Sequence, residues 1–363
     1  MSNKINVIVC GSTFGQLYLK ALKDRKELFN IIGLLGTGSE RSKKCADEYD
    51  IPLYTDMNKV PEDIDLACIA VRTSVFGGKG TEIALDFLEK GVNVIQEHPS
   101  HPKDMEQCYR IARRKNVIYH IGNLYPYLDD VQKFIRCANY LNSHDELIHI
   151  DTMFAGQVSY PLIKILQLSM PSIQKWKLEG CETTEGIFQI LHGKLGNIPV
   201  CMHINNELVV EDPNNYMHVL HRITFFYNGG RLTLENTFGP LTWHPRMFIP
   251  ISTALKGTLD MKFPDNVCQN TGYTLSKKNE DKTFEQVLTC VWPMAIQRDL
   301  ELVYNQIVEK RIDINIIQKE LLCARQWNQI TKELGYSKLV PKKQIELISI
   351  SELIQTCKGG EEW

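Results

Sequence analysis

The sequence has no cysteine pair at C-x-x-C spacing, although its eleven cysteines are spread from Cys10 to Cys357. No histidine cluster stands at zinc spacing either. This pattern excludes a disulfide framework and a classical zinc motif as organising elements. Thiols such as Cys68, in the run LACIAV, read as buried and reduced, which predicts a reducing, cytoplasmic setting. A charge bias is also missing. Lys and Arg number 41 and Asp and Glu 43, for a formal net charge of -2. Nucleic acid and acidic membrane surfaces are therefore not the expected partners. No stretch approaches the ~20 apolar residues of a membrane helix. The start, MSNKINVIVCG, lacks the apolar run and small-residue cleavage site of a signal peptide. Repeats and low-complexity tracts are absent as well.

What remains is an ordinary soluble composition, 43% hydrophobic and 23% charged over 363 residues, enough for two domains. The first third alternates strand and helix signals. Continuous apolar runs at Ile5–Cys10, Phe29–Leu35, Leu66–Val71, Val92–Ile95 and Val117–Ile121 predict strands. Helical patterns lie between them at Gln16–Leu22, Ser42–Tyr49, Thr81–Lys90 and Lys103–Lys115. Apolar strands separated by helices predict a doubly wound parallel sheet covered on both faces. The pattern changes near Tyr125-Pro126-Tyr127. A helix is predicted over Leu128–Asn142, then longer, more polar segments and a hairpin in HVLHRITFFYNGGRLTLENTF. Helices over Arg298–Arg311 and Ile316–Glu333 close the chain. The expected organisation is α/β: a Rossmann-type domain over residues 1–124, then an α+β domain over 125–363 with an open, mostly antiparallel sheet.

Between the first strand and helix, Gly11 and Gly15 flank Ser12, Thr13 and Phe14. A turn without side chains lets backbone approach a pyrophosphate, and a helix N-terminus adds free N–H groups and a positive dipole end. The spacing is G-x-x-x-G rather than G-x-G-x-x-G, and a tight turn without a ligand is the competing reading. An NAD site places an acid at the end of the second strand to bind the ribose diol. Here that strand runs into GTGSERSKK with no acid at its end. Ser39, Arg41 and Ser42, with Lys43 and Lys44, suit the 2'-phosphate of NADPH instead. A solvated helix start capped by Ser39 is the alternative.

Ligands of such a sheet bind beyond the carboxyl ends of its strands. Three ends stand out: VRTSVFGG with Arg72 and Thr73, QEHP with Glu97 and His98, and NLYPY with Tyr125. Strand-Glu-[Lys/His]-Pro after an N-terminal glycine turn resembles the glucose–fructose oxidoreductase and inositol dehydrogenase superfamily, whose usual tripeptide is Glu-Lys-Pro. Sugar and polyol members also carry an Asp and a His at helical spacing early in the second domain. The matching stretch here, GQVSYPLIKILQLSM, contains neither. FGQLYLKA, GLLGTGSERS, ACIAVRTSVFGGKGT, GVNVIQEHPSHP and FGPLTW together resemble the thiazolinyl imide reductases of yersiniabactin- and pyochelin-type siderophore assembly, most densely over residues 7–127.

That resemblance implies an NADPH-dependent reduction of a thiazoline C=N bond to a thiazolidine, on an intermediate tethered to a carrier domain of a nonribosomal peptide synthetase. It implies a catalytic pair, His98 and Tyr125, with either residue or a bound water giving the proton. An acid with a pKa near working pH is most effective, and histidine meets that better than lysine. Glu97 would help hold the cofactor and Pro99 would fix the strand end. A homodimer paired through open sheets is also implied. No metal is expected, since His218 and His221 fall on opposite faces of their strand. Competing readings are a sugar or cyclitol dehydrogenase, and a non-catalytic dinucleotide-binding protein. His98 as a satisfied strand-end histidine and Tyr125 as an interdomain packing residue are the corresponding plain alternatives.

Overall fold

A computed structural model describes residues 4–72, 78–170, 175–247, 270–276 and 282–358. Six parallel strands form the first sheet, in the order β3-β2-β1-β4-β5-β6. They are β1 (Ile5–Cys10), β2 (Phe29–Leu35), β3 (Leu53–Tyr54), β4 (Leu66–Ile69), β5 (Asn93–Glu97) and β6 (Tyr119–Gly122). Helices α1 (Gly15–Lys23), α2 (Glu40–Tyr49), α3 (Lys79–Glu89) and α4 (Pro102–Lys115) provide the crossovers. The inner strands are apolar because helices cover them: Val7, Ile8, Val9, Leu66, Ala67, Cys68 and Val94 are fully buried. Local chemistry sets the helix ends. Ser39 accepts from the Ser42 N–H to cap α2. His101 caps α4 by accepting from the Lys103 N–H, with Pro102 in the first turn. Asn116 ends α4 in the left-handed region.

The second sheet has eight strands in the order β15-β14-β13-β12-β7-β10-β9-β8. They are β7 (Leu147–Ala155), β8 (Trp176–Thr183), β9 (Gln189–Leu195), β10 (Ile198–Asn205), β12 (His221–Tyr227), β13 (Gly230–Leu234), β14 (Leu241–Pro245) and β15 (Tyr273–Thr274). The predicted hairpin is β12–β13. Only the β7–β10 pairing in this sheet is parallel. A short parallel pair, β11 (Glu207–Val209) with β16 (Lys338–Val340), stands apart. Helices α5 (Asp129–Asn142) and α6 (Ser159–Ser169) pack on one face, over Ile150, Phe154, Phe225 and Leu232, all fully buried.

Two long helices then return to the first sheet: α7 (Trp292–Val308) against α1 and α8 (Ile314–Leu334) against α4. Their predicted starts, Arg298 and Ile316, fell short by six and two residues. The return is pinned by polar bonds. Asp299 takes His120 Nε2 at 2.7 Å and the Asn123 N–H at 3.1 Å. Arg298 donates to the Tyr127 carbonyl, and Arg325 pairs with Glu106 at 2.8 Å. Among the described residues no helix is long and apolar enough to cross a membrane.

Candidate active site

Gly11 follows β1 with φ +97°, and a Cβ there would sit 2.8 Å from the Ala70 carbonyl oxygen. Glycine is therefore required by both conformation and space. Ser12 is buried and Thr13 exposed. Phe14 is the N-cap of α1 and offers no side-chain cap, and no acid stands in the first turn. The Leu17 N–H bonds the Phe14 carbonyl, and the N–H groups before it suit an anionic ligand. Arg41, exposed on α2, brings its Nε to 3.5 Å from Ser12 Oγ, so the two loops share one mouth. Ser39 and Ser42 are engaged in the α2 cap, Ser42 Oγ donating to the Ser39 carbonyl at 2.8 Å. Arg72 is exposed just beyond β4, and α3 begins only at Lys79. Thr73 lies outside the described residues.

β5 carries the reactive end of the crevice. Its last residue, Glu97, accepts from the Tyr18 hydroxyl at 2.5 Å through one oxygen and lies 3.0 Å from His98 Nδ1 through the other. Glu97, expected to help hold the cofactor, also bonds Tyr18 and His98. His98 Nδ1 is also 2.9 Å from the Gly122 carbonyl on β6. Both neighbours of Nδ1 only accept, so Nδ1 carries the proton and donates. Nε2 has no partner among the described residues. Burial alone would favour the neutral ring, but the Glu97 carboxylate and the Gly122 carbonyl outweigh it and raise the pKa of His98 above the ordinary value. The close fit extends to Gly122, where a Cβ would fall 2.3 Å from the Tyr18 hydroxyl oxygen.

Aromatic rings fix the imidazole. Tyr160 of α6 stacks on it, with centroids 5.6 Å apart and planes 17° apart. Tyr125, in the turn after β6, meets its edge at 6.2 Å. Burial pushes the Tyr125 phenol up, keeping it protonated. Tyr125 packs in turn on His221 at 5.2 Å and on Trp292 at 6.3 Å. His221 bonds the Thr237 hydroxyl and the Val158 carbonyl, and burial depresses its pKa to about 4. It is a neutral wall residue. The structure therefore places His98, Glu97 and Tyr125 together. It adds Tyr18, Tyr160, His221 and Trp292. Tyr160, His221 and Trp292 lie on elements far along the chain, and Tyr18 sits in the first helix, where nothing local tied it to Glu97. The tyrosine of SYPLIKIL lay in the stretch read only for its missing Asp and His.

The residues present fit a dinucleotide. A glycine cradle and an uncapped helix start face the crevice mouth. Two buried donors beside Tyr125, Asn123 Nδ2 and Trp292 Nε1, have no partner among the described residues. Buried donors of this kind are ordinarily satisfied, and the acceptors of a bound ligand would satisfy these two.

Residues 5–123 match the model of an oxidoreductase family with an NAD-binding Rossmann fold. Residues 154–244 match the model described as thiazolinyl imine reductase Irp3-like, C-terminal. Residues 5–123 are thus similar to the NAD-binding Rossmann domains of that oxidoreductase family. Several solved structures share this chain's fold. KijD10, a 3-ketoreductase from Actinomadura kijaniata solved with NADP, has a TM-score of 0.66 at 12% identity, covering 93% of this chain and 100% of that one. UDP-N-acetylglucosamine 3-dehydrogenase GnnA from Acidithiobacillus ferrooxidans has a TM-score of 0.62 at 11% identity, covering 92% and 98%. GenD2 from gentamicin A biosynthesis, solved with NAD, has a TM-score of 0.64 at 10% identity, covering 90% and 93%. No curated protein sequence matches the chain. The Rossmann-domain match, with neighbours solved with NAD or NADP, supports a nicotinamide dinucleotide cofactor.

Proposed function

We propose that this enzyme uses NADPH to reduce the C=N bond of a thiazoline ring to a thiazolidine, on an intermediate tethered to a carrier domain of a nonribosomal peptide synthetase in siderophore assembly. The observation that carries this reading is His98. Its Nδ1–H is held by Glu97 and Gly122, its plane is fixed by Tyr160, its ring meets Tyr125, and its Nε2 has no partner among the described residues. The match of residues 154–244 to the Irp3-like reductase model gives independent support. So does α6, which holds no Asp or His to take a proton from an alcohol.

Bound NADPH supplies hydride to the ring carbon of the C=N bond. The ring nitrogen must then gain a proton. His98 provides it from Nε2, since the raised pKa keeps the imidazolium populated near neutrality. The Tyr125 hydroxyl, protonated throughout, donates a hydrogen bond that orients the nitrogen. Glu97 stabilises the charged imidazole and does not itself touch substrate. Arg41 and Ser12 would hold the 2'-phosphate, favouring NADPH over NADH. The soluble partner is the carrier domain, and the working unit is a homodimer in the cytoplasm.

The test is purified enzyme with NADPH and a synthetic thiazoline thioester, following loss of the reduced nicotinamide absorbance. Turnover that collapses in His98→Gln with NADPH binding retained supports the reading. Turnover of a polyol with NAD, and none of any thiazoline, would instead establish the sugar or cyclitol dehydrogenase reading.

A further inference from the structure

The outer face of the second sheet, opposite α5 and α6, carries a second cluster of reactive side chains. β7 and β10 run parallel there, with Cys201 paired to Asp151. His203, two residues beyond Cys201, projects to the same face by strand periodicity. Along both strands the alternate residues Ile150, Phe154, Val200, Met202 and Ile204 are buried on the helix-covered side. Asp151, Cys201 and His203 are half-buried on the other side.

One imidazole nitrogen is the hub of this group. His203 Nε2 lies 3.3 Å from Asp151 Oδ2 and 3.6 Å from Cys201 Sγ. The three ligand atoms all fall within 4.8 Å of one another. Two donors on a tetrahedral zinc, with Zn–N and Zn–O of about 2.0 Å and Zn–S of about 2.3 Å, stand about 3.3 Å apart for N and O and about 3.5 Å apart for N and S. The observed separations are compatible with those two tetrahedral edges.

We propose that Asp151, Cys201 and His203 form a zinc site that ties β7 to β10 across their parallel pairing. The donor set is one thiolate, one imidazole and one carboxylate. That mixture suits a borderline ion such as Zn2+ rather than Ca2+ or Mg2+, which take oxygen. Three protein ligands leave a fourth position, and His192 on β9 stands directly opposite Cys201 in the β9–β10 register. The site lies away from the His98 crevice and does not depend on the proposed reaction.

The probe is Co2+, which reports tetrahedral geometry by visible d–d bands and thiolate ligation by near-ultraviolet charge transfer. Full-length enzyme freed of metal, in a Cys290→Ser, Cys357→Ser background, is titrated with Co2+ alone. The expected result is one ion per chain, a thiolate charge-transfer band, and bleaching on addition of Zn2+. Cys201→Ser should abolish the band, and His203→Ala should weaken binding by at least about tenfold to a hundredfold, the scale on which even ligand-supporting changes act. NADPH binding serves as the control for folding and should be unchanged in both variants. A titration without the charge-transfer band, or with a band that persists in Cys201→Ser while NADPH binding is intact, overturns the site.

Discussion

Replacing Glu97 by Gln isolates the charge that acts on His98 while keeping the shape of the strand end. A glutamine oxygen still accepts from His98 Nδ1, and its amide faces the Tyr18 hydroxyl, which turns to accept. What is lost is one negative charge 3.0 Å from a buried imidazole. An opposite charge at such range shifts a pKa by about 1–3 units. His98 is raised in the native enzyme, so its proton is present below that raised value and lost as pH climbs through it. The rate of the reductive half should therefore fall on the alkaline side of a pH profile. In Glu97→Gln that fall should move to lower pH by about 1–3 units. At a pH above both values the variant should be slower by about 10- to 1000-fold, while at acid pH the two rates converge. The assay is single-turnover oxidation of bound NADPH by a synthetic thiazoline, across pH. Coincident alkaline limbs in the two proteins would show that His98 does not give the proton, leaving Tyr125 or a water as its source.

Arg41→Ala should raise the KM for NADPH by about 10- to 100-fold, the worth of a charge-assisted bond, and leave the KM for NADH nearly unchanged in steady-state kinetics. Gly11→Ala forces a side chain at φ +97° against the Ala70 carbonyl oxygen. It should cost about 1–3 kcal/mol in urea unfolding and abolish the fluorescence change on NADPH binding. Asp299→Asn removes the charge beside His120 while leaving an amide oxygen to accept from it, and should destabilise the chain below the histidine range by about 1–3 kcal/mol. Burial opposes the charged His120, but Asp299 outweighs it and raises its pKa. That stabilisation is full below the ordinary histidine value and is lost as pH rises through the raised one. Denaturant midpoints of the native protein should fall over that alkaline interval, and those of Asp299→Asn should not.

The features legible in the sequence are those fixed within a few residues of one another. Apolar runs fixed the parallel strands, and the glycine turn and Glu97-His98-Pro99 followed from position at strand ends. Features set by tertiary register were hidden. Asp299 reaches His120 across 179 positions, and nothing near Asp299 marks it as anything but an exposed helix residue. Cys201 and His203 sit at strand spacing in the sequence, yet Asp151 joins them only through the parallel pairing of β7 with β10. A scan for zinc spacing therefore passes over them. Tyr160 was hidden for a different reason. A tyrosine on an apolar helix is ordinarily core, and its contact with His98 needs two domains to be placed first.

Two departures from the sugar-oxidising pattern, histidine for lysine at position 98 and the absence of Asp and His from α6, are physically one change. α6 places Tyr160 flat against His98, and Glu320 takes both the Tyr160 hydroxyl and Lys164 of the same helix. An imidazole fits this arrangement because it is planar and can be held at Nδ1 while Nε2 stays free. A lysine would leave Tyr160 without a ring to stack on and Glu97 with a mobile ammonium, whose direction nothing fixes. The α6 face that would need an alcohol-deprotonating pair is already occupied by the ring that orients His98. His98→Lys should therefore lose the proton donor without gaining polyol oxidation, and a variant that turns over a polyol from this single change would break the link between the two departures.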